Sequence, residues 1–224
     1  MQVTPADHDR ISAAIAEAEL RTSGEIFTVV ETQPTAYPQT AFTLAVLLAF
    51  VLPFAAVLLV GLDPRLAFES GWSSGDPALD IVRAIEGYAA VQALIFVVTL
   101  GLLSWTSLGR KLTPRSLRRD RVHRVAMAQF LSRGLHVTSA RTGVLLFLSL
   151  PDHIAEVIAD EGIFAKVPPN VWDESVAALV GGAKRGAVAD GFVAAIRIAG
   201  NVLAEHFPPC AENPNELPDR LIEL

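Results

Sequence analysis

Apolar and polar positions follow three rhythms along this chain, and each predicts a different kind of element. Residues 5–20 place Ile11, Ala14, Ile15 and Ala18 at helical spacing behind a proline that a first turn accepts. Glu25-Ile26-Phe27-Thr28-Val29-Val30 is β-branched and aromatic, and reads as a strand after Gly24. Residues 115–133 return to helical spacing, with Val122, Val125, Ala126, Gln129 and Phe130 on one face and Gly134 as the stop. The run 143–150 is almost wholly apolar and predicts a central strand covered on both faces. After the turn Pro151-Asp152-His153, residues 154–159 predict a second strand, antiparallel to the first. Helices are expected over 171–185 and 188–206, the latter with Phe192, Ala195, Ile196, Ala199, Val202 and Leu203 on one face. The Pro- and Asn-rich residues 210–224 read as a surface-clinging tail. The soluble part is therefore α/β, and the strand at 25–30 is expected parallel beside that at 143–150.

The third rhythm is no rhythm at all. Residues 41–62 and 87–109 are uninterrupted apolar segments of 22 and 23 residues, and no charge falls between Thr32 and Leu62 or between Gly87 and Gly109. About 20 helical residues cross a ~30 Å hydrocarbon core, and a soluble helix would carry a polar stripe that neither segment has. Pro53 predicts a kink, not a break, because neighbouring helices satisfy the carbonyl it frees. Tyr37, Tyr88 and Trp105 fall where interfacial aromatics belong. The two segments predict a transmembrane hairpin, 41–109, with an outward loop at 63–86.

Charge orients the hairpin. Residues 1–40 hold two arginines against six acids, and the connector 63–86 holds two against five. Residues 110–124 hold seven bases and one acid. Bases beside a membrane helix stay in the cytoplasm, so both termini are expected there. Arg110, Lys111, Arg115, Arg118 and Arg119 are the candidate membrane-surface residues, facing anionic headgroups. Residues 1–40 lack the basic start and short apolar run of a signal peptide, so the first span is expected to stay in the mature protein. Residues 1–35 are too few for a core and are expected to complete one cytoplasmic domain with 110–209.

Composition agrees and excludes. Of 224 residues, 51% are hydrophobic and 19% charged, with a mean hydropathy of +0.41. One cysteine, Cys210, excludes an internal disulfide and a multi-cysteine zinc site. A net charge of −6 carries no nucleic-acid signature. Arginine outnumbers lysine 15 to 3, and alanine is abundant, which suggests a GC-rich bacterial genome and hence a bacterial inner membrane. No Walker loop, G-x-G-x-x-G, G-x-S-x-G or H-E-x-x-H is present. His8, His123, His136, His153 and His206 are not spaced as a helical metal pair.

The segments RTSGEIFTVV at 21–30, RTGVLLFLSLPDHIAEVIADEGIFAKV at 141–167, VPPNVW at 167–172 and LAEHFPP at 203–209 resemble the TPM domain. That family includes a thylakoid acid-phosphatase-like protein, a photosystem repair protein and a receptor auxiliary protein. The resemblance covers most of 5–209 once the hairpin is set aside. It implies a small mixed sheet with helices on both faces, and an acidic site at one sheet edge that holds a divalent metal and is linked to weak phosphatase activity. The matching residues are Asp160 in I-A-D-x-G-I and Glu25 in S-G-E-I. An all-oxygen pair of this kind suits Ca2+ or Mg2+. Asp173, Glu174 and Asp190 fall at helix starts, where carboxylates complement the dipole. Two functions are therefore expected from different classes. One is a membrane-tethered, non-catalytic binding or assembly module for a membrane protein. The other is a weak divalent-metal-dependent phosphatase.

Overall fold

The structure is a computed structural model that describes residues 3–33, 36–62, 76–134, 141–209, 215 and 217–224. The expected loop residues 63–75, together with His136 and Cys210, lie outside the described residues. The chain divides into two compact units, Met1–Pro34 with Arg115–Leu224, and Thr35–Pro114. Residues 110–114, expected with the soluble domain, thus belong with the apolar helices.

The first unit is a four-stranded mixed sheet of order β3-β2-β1-β4, with helices on both faces. Its strands are β1 (Glu25–Glu31), β2 (Gly143–Ser149), β3 (Ile154–Ala159) and β4 (Leu221–Glu223). β1 runs parallel to β2 in the register Glu25↔Gly143 to Glu31↔Ser149, and β3 runs antiparallel to β2. Every residue of β1 and β2 is buried, as a continuous apolar run demands of central strands.

The two sheet faces are covered by different helices. Ile26, Val30, Val144, Leu146 and Leu148 point to one face. There they meet helix α1 (Pro5–Glu19), the short α6 (Glu161–Phe164), α7 (Asp173–Arg185) and α8 (Val188–His206). Phe27, Val29, Leu145 and Phe147 point to the other, where α5 (Arg115–Ser132) lays Val122, Ala126 and Phe130 on them. α1 starts at a capping box, in which Thr4 and Asp7 satisfy each other's backbone N–H groups. Gly134 and Gly186, at φ of +75° and +78°, end α5 and α7 as left-handed stops. α7 and α8 cross at Gly182 and Gly191, where a Cβ on Gly182 would lie 2.6 Å from the Gly191 Cα. Only glycine permits that approach.

The C-terminal residues differ from expectation. They do more than cling to the surface, because Leu221–Glu223 adds a parallel edge strand to β1. Leu221 is buried, and the Leu224 N–H donates to the Val30 carbonyl. The β1 edge would otherwise carry unpaired backbone groups, so a three-residue strand suffices to fix the tail.

The second unit holds α2 (Pro38–Leu62), α3 (Pro77–Trp105) and α4 (Leu108–Leu112). α2 and α3 are long and apolar enough to cross a membrane, and only 17% and 6% of their most apolar windows are buried. Core helices of a soluble protein would be mostly buried. α2 continues through Pro53, which is buried with Ala41, Ala45 and Ala49 on one stripe. The Phe42 and Phe96 rings meet edge-on at 5.8 Å between centroids. α3 begins ten residues before the expected span, taking Asp80, Arg83 and Glu86 into its first turns behind an Asp76 cap. It stops at Trp105, not 109, where the Thr106 hydroxyl bonds back to the Leu102 carbonyl.

Removal of residues 1–34 takes β1 from between β2 and β4. We expect the remaining chain to be insoluble or rapidly digested by protease. A stable, protease-resistant remainder would show that β2 does not need its parallel neighbour.

Candidate functional site

The sheet ends, where strands stop and polar side chains collect, are the places to look for chemistry. Glu25 opens β1 and faces Gly143 on β2. Asp160 follows β3, and its N–H donates to the Gly143 carbonyl. The two predicted carboxylates therefore share one rim, as expected, but β2 stands between their strands. Two strand spacings put their backbones roughly 10 Å apart.

Each carboxylate is also engaged with its own backbone neighbours. Asp160 is buried and caps α6, its Oδ1 accepting the Glu161 N–H at 2.7 Å. Glu25 is buried, and its Oε2 accepts the Leu217 N–H at 3.3 Å. Among the described residues no group of three or more His, Cys, Asp or Glu side chains is arranged to hold a metal ion. His8 instead pairs with Glu223 at 2.8 Å, and His123 with Glu156 at 2.5 Å. Asp173, Glu174 and Asp190 occupy first helical turns, and Asp190 also takes Arg10 at 2.5 Å.

Sequence reasoning missed a buried carboxyl close to Glu25. Glu19 ends α1 on the same stripe as Ile11, Ile15 and Ala18, and is buried. Its Oε1 accepts the Ile26 N–H at 2.8 Å. That amide belongs to the β1 edge that β4 covers further along, so a side chain caps the edge where the strand does not reach. Burial first, then the nearby Glu25 and Asp219 carboxylates, push the Glu19 carboxyl up to about 9. A glutamate on an apolar helical stripe is the signal that could have found it.

The opposite rim carries a second network that sequence reasoning also missed. Glu31, the last residue of β1, receives both Arg121 guanidinium nitrogens, Nη1 at 2.9 Å and Nη2 at 2.5 Å. The Ser149 hydroxyl donates to the same carboxylate at 2.7 Å. Asp152, in the β2–β3 turn, lies 3.9 Å from Arg118 and from Arg121. His153, next in the turn, adopts a left-handed φ of 50°. Arg118, predicted to face lipid, is thus directed at a buried carboxylate. Lys111, Arg115 and Arg119 are exposed, and Arg110 is partly so. The helical spacing of 118 and 121 against Val122 was the available signal.

No protein-family model matches the sequence. No curated protein matches it either. Among solved structures, the NMR structure of the BA42 protein from the psychrophilic bacterium Bizionia argentinensis superposes with a TM-score of 0.57. The match covers 100% of this chain and 97% of that one, at 19% sequence identity. The likeness is one of fold.

Two outcomes follow from the buried groups. Arg121→Met leaves Glu31 buried without its bidentate partner, and should cost about 3–5 kcal/mol in chemical denaturation. Adding Glu31→Gln should recover much of that loss; no recovery would mean the arginine acts by packing alone. For Glu19, the folded carboxyl titrates near 9 and the unfolded one near 4.5. Its contribution is complete below the lower value and declines as pH rises toward the upper one, because the unfolded chain releases the proton first. Glu19→Gln should therefore flatten the fall in thermal stability between those pH values, and an unchanged slope would assign the fall to another group.

Proposed function

We propose that this chain is a membrane-anchored, TPM-like domain that binds or helps assemble a membrane protein partner without catalysis. The carrying observation is topological. Two membrane-length apolar helices interrupt the chain between two adjacent strands of one sheet, so the domain is built around its own anchor. A hairpin placed there cannot be cleaved away and leave a continuous folded domain, which favours permanent residence at the membrane.

The orientation belongs to the same proposal. Exposed Lys111, Arg115 and Arg119 follow the second apolar helix closely, which supports both termini in the cytoplasm of a bacterial inner membrane. Trp105, 93% exposed at the end of α3, suits an interfacial aromatic. A binding role is favoured over hydrolysis because Glu25 and Asp160 each accept a different backbone N–H group and lie on opposite sides of β2.

The test has two arms. Reporter fusions at the N-terminus, near Gly75 and at the C-terminus should read inside, outside, inside, and a C-terminal reporter active outside would overturn the orientation. Photo-crosslinking in native membranes should give a discrete protein adduct. Magnesium-dependent hydrolysis of a phosphate ester by the purified chain, lost in Asp160→Asn, would overturn the non-catalytic reading in favour of the phosphatase.

A further inference from the structure

The basic run after the hairpin is divided by the structure into two groups with different partners. Arg118 and Arg121 turn to Asp152 and Glu31. Arg115 and Arg119 are exposed, and neither has an acidic partner among the described residues. They stand at i and i+4 on α5, where side chains are neighbours. The first core residue of α5 is Val122, so these turns contribute no side chain to the core. The first turn holds no acid, although the positive end of a helix favours one. Two like charges at that spacing repel each other and that helix end, each by a few tenths of a kcal/mol. Such an arrangement is costly in isolation, and an anion between the two guanidiniums would relieve it.

We propose that Arg115 and Arg119 form a docking surface for the phosphate headgroups of anionic phospholipids. Charge complementarity supplies the attraction, and guanidinium pairs suit phosphate oxygens. Chain connectivity supplies the source. Arg115 follows Trp105, the last residue of a membrane-length helix, by ten positions. A tether that short keeps these arginines at high effective concentration near a bilayer surface. Leu117, 51% exposed on the same turns, adds an apolar side chain able to enter the interface. The inference rests on the reading that the hairpin crosses the bilayer, and it names the lipid that the domain would seek there.

The experiment uses the full chain with Cys210→Ser and a fluorophore on Ser116→Cys, an exposed neighbour of both arginines. The protein is reconstituted into bilayers of phosphatidylcholine alone, or of phosphatidylcholine with phosphatidylglycerol, each doped with headgroup-spin-labelled lipid. Quenching should be stronger in the anionic bilayers, with each arginine shifting the contact equilibrium about fivefold. Added salt should weaken it. Arg115→Gln with Arg119→Gln should abolish the difference, Arg115→Lys with Arg119→Lys should keep it, and neutralising Lys184 and Arg185 on α7 should leave it unchanged. Equal quenching in both bilayers, or an unaffected glutamine variant, would overturn the proposal. So would loss of quenching on adding inorganic phosphate at constant ionic strength, which would reassign the site to a free anion. A chain that fails to enter the bilayer at all would defeat the hairpin reading itself, and this inference with it.

Discussion

The parallel ladder between β1 and β2 is the constraint from which the rest of this structure follows. It joins Glu31 to Ser149, residues 118 positions apart, and everything between them must leave and return within that requirement. Closing so long a loop costs entropy, though slowly with length, and the return comes from two strands buried along their entire length. The bidentate Arg121–Glu31 pair, with Ser149 on the same carboxylate, ties α5 to the end of the ladder from which the chain departs toward α2. A buried ion pair adds little net stability over apolar packing, but breaking it is expensive, so it penalises misregistered ladders.

β1 carries a glutamate at each end, and the two are treated in opposite ways. Glu31 is kept ionised company by an arginine. Glu25 lies near another acid, Glu19, whose burial first, and then the neighbouring Glu25 and Asp219 carboxylates, raise its carboxyl to about 9. The same strand thus has one end held by opposite charges and one end held by neutralisation. Its free edge is likewise closed by two devices, a glutamate side chain on the Ile26 amide and a three-residue C-terminal strand beyond it. Neither device depends on an apolar side chain at the edge itself, which is where an exposed β1 would otherwise recruit foreign strands.

What makes the chain unusual is where polarity has been removed. Within the α/β unit, several buried polar groups are paired across elements distant in sequence, Glu31 with Arg121 and the Thr22 hydroxyl with the Phe207 carbonyl. In the helical unit, Phe50, Phe54, Leu59, Leu94 and Val97 are each more than half exposed. Such surfaces are costly in water, and the two helices that carry them are long and apolar enough to cross a membrane.

Local pattern was enough to read the elements, because helical and strand periodicity report burial directly. The stripe of α1, the faces of α5 and α8, the continuous run of β2 and the two apolar helices were all legible, as was the parallel pairing of β1 with β2. The start of α3 was not, because Asp80, Arg83 and Glu86 signal solvent, and an exposed helix accepts charges as readily as a loop does. Nor was β4, since three residues near a chain end carry no periodicity and take their conformation from the edge they cover. Charge told which residues would be solvated or buried only on average. Arg115 and Arg119 remain outside while Arg118 and Arg121 turn inward, and the sequence writes all four alike. The motif residues Glu25 and Asp160 lie at one rim of the sheet, yet strand order put β2 between them. Sequence by itself determined the strongly periodic elements, their buried faces and the membrane-length segments, because those depend on neighbours within about four residues. Tertiary structure alone decided which charges meet, because a carboxylate's partner is set by strand order and helix docking, as over the 90 residues that separate Glu31 from Arg121.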